Sequence, residues 1–317
     1  MRNAALPDLG GMRVLVTGAS GGIGGGIARR FVAAGARVAV HYSGTSAASE
    51  ARALALVDEL RERAAARRDA ATGGDAATGG DAAAGGADRG AAVAVGADLA
   101  RPGAAAELVA EAAEALGGLD GLVNNAGIQP LAKIAETSRA AWDEVLATNL
   151  GAVFELSREA AALMADPAAD PDADADAAGA VRAGAVRAGA VGTEAGAHAD
   201  RWITHIASIE ASRPAPAHAH YAAAKAGVVM HARAAALELG PLGIRVNTVS
   251  PGLVDRPGLA EAWPEGVASW LARAPLRRLA TAEDVGDACV LLASPAASFI
   301  TGQDLAVDGG MLATPGW

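Results

Sequence analysis

The chain of 317 residues is 52% apolar, 3% aromatic and 20% charged, with a formal net charge of -10. That apolar content builds a globular core, and the acidic balance excludes a protein that binds nucleic acid by neutralising phosphates. A lone cysteine, Cys289 in the apolar run DACVLLA, excludes an intrachain disulfide and reads as a core thiol; the start MRNAALPDLGGM lacks the charged-then-apolar order of a signal peptide, and no apolar run reaches membrane-spanning length. A cytoplasmic protein with no membrane partner is expected.

The first predicted strand is RVLVTG (13–18), and VTGASGGIGGGIARRF carries it through a glycine-rich turn into a helix. Gly18, Gly22 and Gly24 keep a TGxxxGxG spacing that lets backbone approach a pyrophosphate, whose charge the helix N-terminal N–H groups meet; Ser20 and Ile23 lie in the same turn. The second strand, RVAVHY (37–42), ends in Tyr42, Ser43 and Gly44, where NAD-preferring enzymes usually place a carboxylate for the ribose hydroxyls. The reading therefore leans to NADP(H) over NAD(H), although Gly21 stands where an arginine could clamp the 2′-phosphate and no arginine follows the strand until Arg52.

Further strands are expected at AAVAVGADL (91–99), LDGLVNNAG (119–127), WITHIAS (202–208), IRVNTVSPG (244–252) and DLAVDGG (304–310), with Ala-rich helical segments between them. The alternation predicts an α/β fold: a doubly wound parallel sheet of Rossmann type, one domain over 11–312. Two low-complexity segments interrupt it. Residues 69–86 repeat a DAATGG-like hexapeptide, and VRAGA occurs twice in 181–190 behind an Ala/Pro tract carrying Asp166, Asp170, Asp172, Asp174 and Asp176. Residues 66–89 and 166–200 read as flexible insertions, each after a helix and before a strand, hence on the edge opposite the ligand-binding strand ends; a partner-binding tail is the alternative.

In AHYAAAKAGVVMHARAAALEL, read as a helix, Tyr221 and Lys225 are i,i+4 neighbours on one face. The chain's only lysines are Lys133 and Lys225 and its only tyrosines Tyr42 and Tyr221, so the pairing argues for a specific role. An ammonium beside a phenol stabilises the phenolate and makes it a usable general acid or base. Arg supplies nearly all other positive charge here, and a compact ammonium does what a wide guanidinium cannot.

With TGASGGIG, NNAG (124–127), ATNLGAVF, IASIE, YAAAK and RVNTVSPG in order from about residue 11 to 310, the sequence resembles the short-chain dehydrogenase/reductase family, and ITGQDLAVDGG is similar to the C-terminal strand of its acyl-carrier-protein ketoreductase-like members. The resemblance implies that Tyr221 donates a proton to a carbonyl oxygen as hydride arrives, that Ser208 hydrogen-bonds the same oxygen, that Lys225 binds the nicotinamide ribose and lowers the tyrosine pKa, and that Asn149 holds a relay water. It implies that Asp98 and Leu99 meet the adenine, that Asn125, Ala126 and Gly127 line the cleft, and that Pro251, Gly252 and Val254 border the nicotinamide. It also implies a small carbonyl or alcohol substrate, with a 3-oxoacyl thioester as a narrower class, and a homo-oligomer, dimer or tetramer.

One position departs from the family pattern: Arg256 stands where many relatives carry a threonine after PGLV. Either backbone groups remake that contact, or Arg256 faces an anionic substrate or the cofactor phosphates. His218 and His220 form a His-x-His without the further ligands a metal requires, so no metal is expected and His218 reads as a pocket wall or substrate hydrogen-bonder. His205 reads as a satisfied core histidine. Trp263 and Trp270 fit either an apolar substrate lid or the packing of a lid helix. Two readings compete with an enzyme: a catalytically idle dinucleotide-binding regulator or scaffold, and an interaction protein working through its repeats.

Overall fold

Val, Ile and Leu suit a pleated surface buried on both faces, and the strands form at short runs of them bounded by polar residues or glycine. The computed structural model describes residues 6–72, 90–165 and 201–315. Strands β1 (Arg13–Val16), β2 (Arg37–Tyr42), β3 (Ala92–Gly96), β4 (Gly121–Asn124), β5 (Arg201–Ile206), β6 (Ile244–Pro251) and β7 (Asp304–Val307) make one seven-stranded sheet in the order β3-β2-β1-β4-β5-β6-β7. Every pairing is parallel. The order reverses between β1 and β4, so the loops leaving these strands diverge and open a crevice at their carboxyl ends.

Helices cover both faces. Helices α1 (Gly22–Ala33), α2 (Ala47–Thr72) and α9 (Ala282–Ala293) bury Ile27, Phe31, Leu56, Leu60, Val285 and Val290 on one side. On the other, α3 (Ala104–Leu116), α5 (Ala152–Ala165) and α6 (Ala219–Leu239) bury Leu108, Leu116, Leu156, Met164, Ala232 and Ala235. Ser138 caps the short α4 (Arg139–Leu146), and Thr281 with Asp284 forms a capping box that starts α9. A single turn, α7 (Leu259–Ala262), and α8 (Pro264–Arg273) stand outside the layers, beyond the carboxyl end of β6.

The thin side chains allow close packing. Gly26 of α1 lies so near Ala282 of α9 that a Cβ would stand 2.5 Å from the Ala282 carbonyl carbon. The largest fully buried side chain among the described residues, Trp202, stacks on Phe31 with ring centroids 5.3 Å apart, and its indole occupies the place a side chain at the paired Gly121 would need.

Helix α2 runs to Thr72, past residue 66 where the sequence places the start of an insertion; the run RERAAARRDAA is rich in strong helix formers, which carry the helix onward. The rest of that insertion, and residues 166–200, lie outside the described residues.

The start of β1 is fixed by a buried ion pair. Arg13 donates through Nε at 2.8 Å and Nη2 at 2.7 Å to Asp120, which also accepts the Arg13 backbone N–H, and Nη1 reaches the Gly117 carbonyl. Removing one partner strands the other charge away from water. Asp120→Ala is expected to cost about 3–5 kcal/mol in chemical denaturation, whereas Asp143→Ala, which breaks an exposed pair with Arg139, is expected to leave the denaturation midpoint close to that of the wild type.

Candidate active site

The crevice is built first by the turn after β1. Gly18 and Gly22 adopt φ of 62° and 55°, a region open to glycine at little cost. A Cβ on Gly18 would stand 2.9 Å from the Ala126 Cα, so the turn lies directly against the loop after β4. Thr17 ties the two loops: its Oγ1 accepts from the N–H groups of Asn125 (2.9 Å) and Ala126 (3.0 Å), and Asn125 Nδ2 donates to the carbonyls of Thr17 and Gly18. No side chain caps α1, and the space above Gly21 and Gly22 is open to 4 Å. Uncapped helix N–H groups facing open space fit an anion, here the pyrophosphate of a dinucleotide.

Strand β2 ends this cradle with Tyr42, Ser43 and Gly44, and Asp98 follows β3, its Oδ1 accepting the Ala100 N–H at 3.0 Å, with Leu99 half-buried beside it. No carboxylate ends β2, yet Glu50 on α2 folds back to within 3.5 Å of the Tyr42 hydroxyl. Ser20 and Ile23 sit half-buried in the turn.

Ser208, Tyr221, Lys225 and Asn149 arrive from different elements. Ser208 follows β5, is buried, and caps the next turn by accepting the Glu210 N–H at 3.1 Å. Tyr221 and Lys225 lie on the first turns of α6, and the Tyr221 phenol is near enough to Ser208 for that hydroxyl to act on its pKa. Lys225 Nζ donates to the Ile206 carbonyl at 2.7 Å and stands 5.7 Å from the Tyr221 ring centre. Asn149 sits in a π-helical turn (Ala147–Gly151) between α4 and α5, where Oδ1 accepts from the Ile128 N–H at 2.8 Å and Nδ2 donates to its carbonyl at 2.7 Å. A Cβ on Gly127 would fall 2.5 Å from Asn149 Oδ1 and 3.8 Å from Lys225 Nζ, which places these groups on one small volume.

Burial governs the proton chemistry. It pushes the Tyr221 phenol up to about 12, with the Glu210 carboxylate adding to the rise and the Ser208 hydrogen bond opposing it. It brings the fully enclosed Lys225 ammonium down to about 8. Desolvation, and not the Lys225 ammonium expected to acidify the phenol, sets the direction of the Tyr221 shift.

The wall beside Tyr221 holds residues that motif spacing did not reveal. Glu210 accepts from His218 Nδ1 at 2.8 Å, the Gln129 side chain at 3.1 Å and the Ala215 N–H at 3.4 Å. His218 meets the Tyr221 ring edge-to-face at 6.0 Å, and Ala217 before it is held at φ 64°, an uncommon conformation for a residue with a Cβ. Only a carboxylate two residues past the serine could have hinted at Glu210. His205 is only half satisfied among the described residues: Nδ1 pairs with Asn124 Nδ2 at 3.1 Å, Nε2 has no partner there, and its ring stacks on His231.

Pro251 ends β6, Gly252 follows with its N–H on the Val307 carbonyl, and Val254 bridges Ala280. Trp270 of α8 packs on Gly252, leaving no room for a Cβ there, whereas Trp263 is half exposed. Arg256 is exposed in the loop before α7. Leu131 and Ile134, in the loop after β4, are also exposed, giving the carboxyl edge of the sheet an apolar rim.

Comparison with known proteins gives two family matches: "short chain dehydrogenase" over residues 76–170 and "Enoyl-(Acyl carrier protein) reductase" over residues 185–312. The chain is 33% identical to L-rhamnose 1-dehydrogenase (NAD(P)(+)) of Azotobacter vinelandii, covering 94% of this chain and 95% of that protein. It is 33% identical to 3β-hydroxysteroid dehydrogenase 1 of Eggerthella lenta, covering 98% and 97%. Among solved structures, a protein from Beutenbergia cavernae, provisionally assigned as an NAD(P)-dependent gluconate 5-dehydrogenase and holding NADP at low occupancy, superposes with a TM-score of 0.71 at 34% identity, covering 96% of this chain and 98% of that one.

Enclosing Lys225 sets function against stability. Its folded pKa of about 8 lies below the 10.5 of an exposed lysine, so the unfolded chain binds the extra proton between these values and stability rises with pH across that window. Below about pH 8 the fold carries the full cost of the buried charge. Lys225→Met is expected to be more stable than the wild type by about 1–3 kcal/mol near pH 7 in denaturant melts, with the gap closing towards about pH 10.

Proposed function

The chain belongs to the short-chain dehydrogenase/reductase family, and from that premise we propose that it transfers a hydride between NADP(H), used in preference to NAD(H), and a ketone or secondary alcohol carried on an apolar body. The observation that carries this reading is the buried Lys225 ammonium, set beside Asn149 and Gly127 on one side and 5.7 Å from the ring of Tyr221 on the other, with Ser208 next to that phenol. A protein that merely bound a dinucleotide would gain nothing from a proton donor at that point.

When bound, the reduced nicotinamide supplies the hydride. Tyr221 donates its phenolic proton to the carbonyl oxygen, and Ser208 offers a second hydrogen bond to that oxygen as negative charge grows on it. The phenol at about 12 is fully protonated at neutral pH, the state a proton donor needs. Lys225, near about 8 and fixed by the Ile206 carbonyl, is placed to hold the ribose hydroxyls and to return a proton to the tyrosine. Asn149 keeps a lone pair on Oδ1 for a relay water while its amide fastens the loop at Ile128. Asp98 and Leu99 take the adenine, and Pro251, Gly252 and Val254 take the nicotinamide.

Ser43, Thr45 and Ser49 form a hydroxyl cluster beside the start of α2 that favours a 2′-phosphate, and Glu50 at Tyr42 works against it, so the preference for NADP(H) is modest. The exposed rim of Leu131, Ile134 and Trp263 suits an apolar substrate body, and a 3-oxoacyl thioester is the narrower class. Exposed Phe154 of α5 and Met230 and Leu237 of α6 support a dimer or tetramer. No helix among the described residues is long and apolar enough to cross a membrane; the buried thiol of Cys289 is consistent with a cytoplasmic enzyme.

Consumption of NADPH and NADH against a panel of ketones and 3-oxoacyl thioesters tests the reading. Tyr221→Phe is expected to lower kcat by about a hundredfold or more while leaving cofactor affinity near that of the wild type. Both cofactors bound and neither consumed across a broad panel would favour the idle regulator instead. Glu50→Gln is expected to raise kcat/KM for NADPH relative to NADH by about threefold, a change that added salt reduces.

A further inference from the structure

We propose that His41 is a positioning residue for the dinucleotide, holding the phosphate cradle and the adenine side in one piece, and that its neutral form makes cofactor affinity depend on pH. The inference rests on the dinucleotide reading given above.

His41 is buried near the end of β2. Its Nδ1 accepts the Gly18 N–H at 3.0 Å, and its own backbone carbonyl accepts the next amide, Ala19 N–H, at 2.8 Å. One residue thus takes two consecutive amides of the glycine-rich turn. Its Nε2 lies 3.0 Å from the Ala97 carbonyl, the group immediately before Asp98. Because Nδ1 accepts, the ring proton must be on Nε2, where it donates to Ala97. The imidazole therefore spans from the turn that would cradle the pyrophosphate to the strand end that would meet the adenine.

A doubly protonated ring would turn Nδ1 into a donor facing the Gly18 N–H, and the bond that fixes the turn would be lost. Burial holds the His41 pKa below its ordinary value, with the Ala97 hydrogen bond opposing, which keeps the ring neutral near pH 7 and places the loss on the acid side. Around the ring, the turn contributes Thr17, Gly18 and Ala19, none of them titratable. Strand β3 leads through Ala97 to Asp98; Tyr42 follows on β2; Glu50 of α2 and Glu111 of α3 act on Tyr42. None of these groups hydrogen-bonds the imidazole.

The test is binding of NAD+ by calorimetry from about pH 7 down to about pH 5, alongside kinetics at saturating cofactor. NAD+ is chosen because it lacks the 2′-phosphate of NADP+, which itself titrates in that range. His41→Leu is expected to weaken NAD+ about tenfold or more near pH 7 while kcat at saturating cofactor stays within about threefold. His41→Asn, which keeps an acceptor and a donor, recovers part of that loss. Wild-type affinity falls towards acid, where NAD+ binding releases up to one proton, and the His41→Asn profile is flat there. If His41→Leu does not fold, the last two comparisons decide.

Equal affinity in the wild type and a folded His41→Leu, or the same acid loss in His41→Asn as in the wild type, would overturn the assignment. Tyr221→Phe is the control for the reaction: it should keep the wild-type pH profile of NAD+ binding, so a failure of turnover and a failure of the cradle are seen separately. A wild-type protein that binds no NAD+ at any pH would remove the cofactor reading and this inference with it.

Discussion

A lysine ammonium enclosed by protein is the constraint around which the carboxyl edge of this sheet is organised. Charge out of water must be met by fixed dipoles, and Lys225 receives the Ile206 carbonyl at 2.7 Å. That carbonyl is available because β5 ends there; one residue further on, Ala207 N–H still bonds the Val249 carbonyl of β6, and the chain then turns out of the sheet to present Ser208. Placing Lys225 in turn fixes the start of α6, and with it Tyr221 one turn earlier. Asn149 and Gly127 close the same volume from the loops after β4 and α4. Four segments distant in sequence meet only because seven parallel strands put their carboxyl ends on one edge.

Such convergence needs thin walls. Gly127 has no room for a Cβ beside Asn149, Gly24 none beside Asn125, and Gly26 none beside Ala282. The Ala- and Gly-rich composition and the scarcity of aromatic side chains are the sequence-level form of this packing, because helices that bury alanine lie closer to a sheet than helices that bury phenylalanine. Where an aromatic is used in the core, at Trp202, a glycine at position 121 makes the space for it.

The strands and α6 were legible because short aliphatic runs punctuated by glycine leave little choice of conformation; the helix read at Tyr221 and Lys225 spans Ala219–Leu239. Rarity made the chemistry visible, since a chain that favours arginine and avoids tyrosine marks the places where lysine and tyrosine are kept. Other features depend on contacts between distant residues and left no trace in local pattern. The π-helical turn at Asn149, the return of Glu50 to Tyr42 and the bridge made by His41 belong to this class. The end of helix α2 was not legible for a different reason: the tract reads as low complexity, yet alanine and arginine are among the best helix formers, and low complexity does not prevent helix.

Glu210 shows why the site is polar on one wall and apolar at its rim. Its carboxylate collects His218, Gln129 and the Ala215 N–H, and so ties the segment after Ser208 both to the loop after β4 and to the start of α6. The same charge adds to the rise that burial gives the Tyr221 pKa, which keeps the phenol protonated. It also repels an anionic group brought close to the reacting carbon, so any negative charge on a substrate is best carried far from its carbonyl, beyond the rim of Leu131 and Ile134. The strained backbone at Ala217 is the cost of turning His218 back towards Glu210 while α6 begins at the next residue.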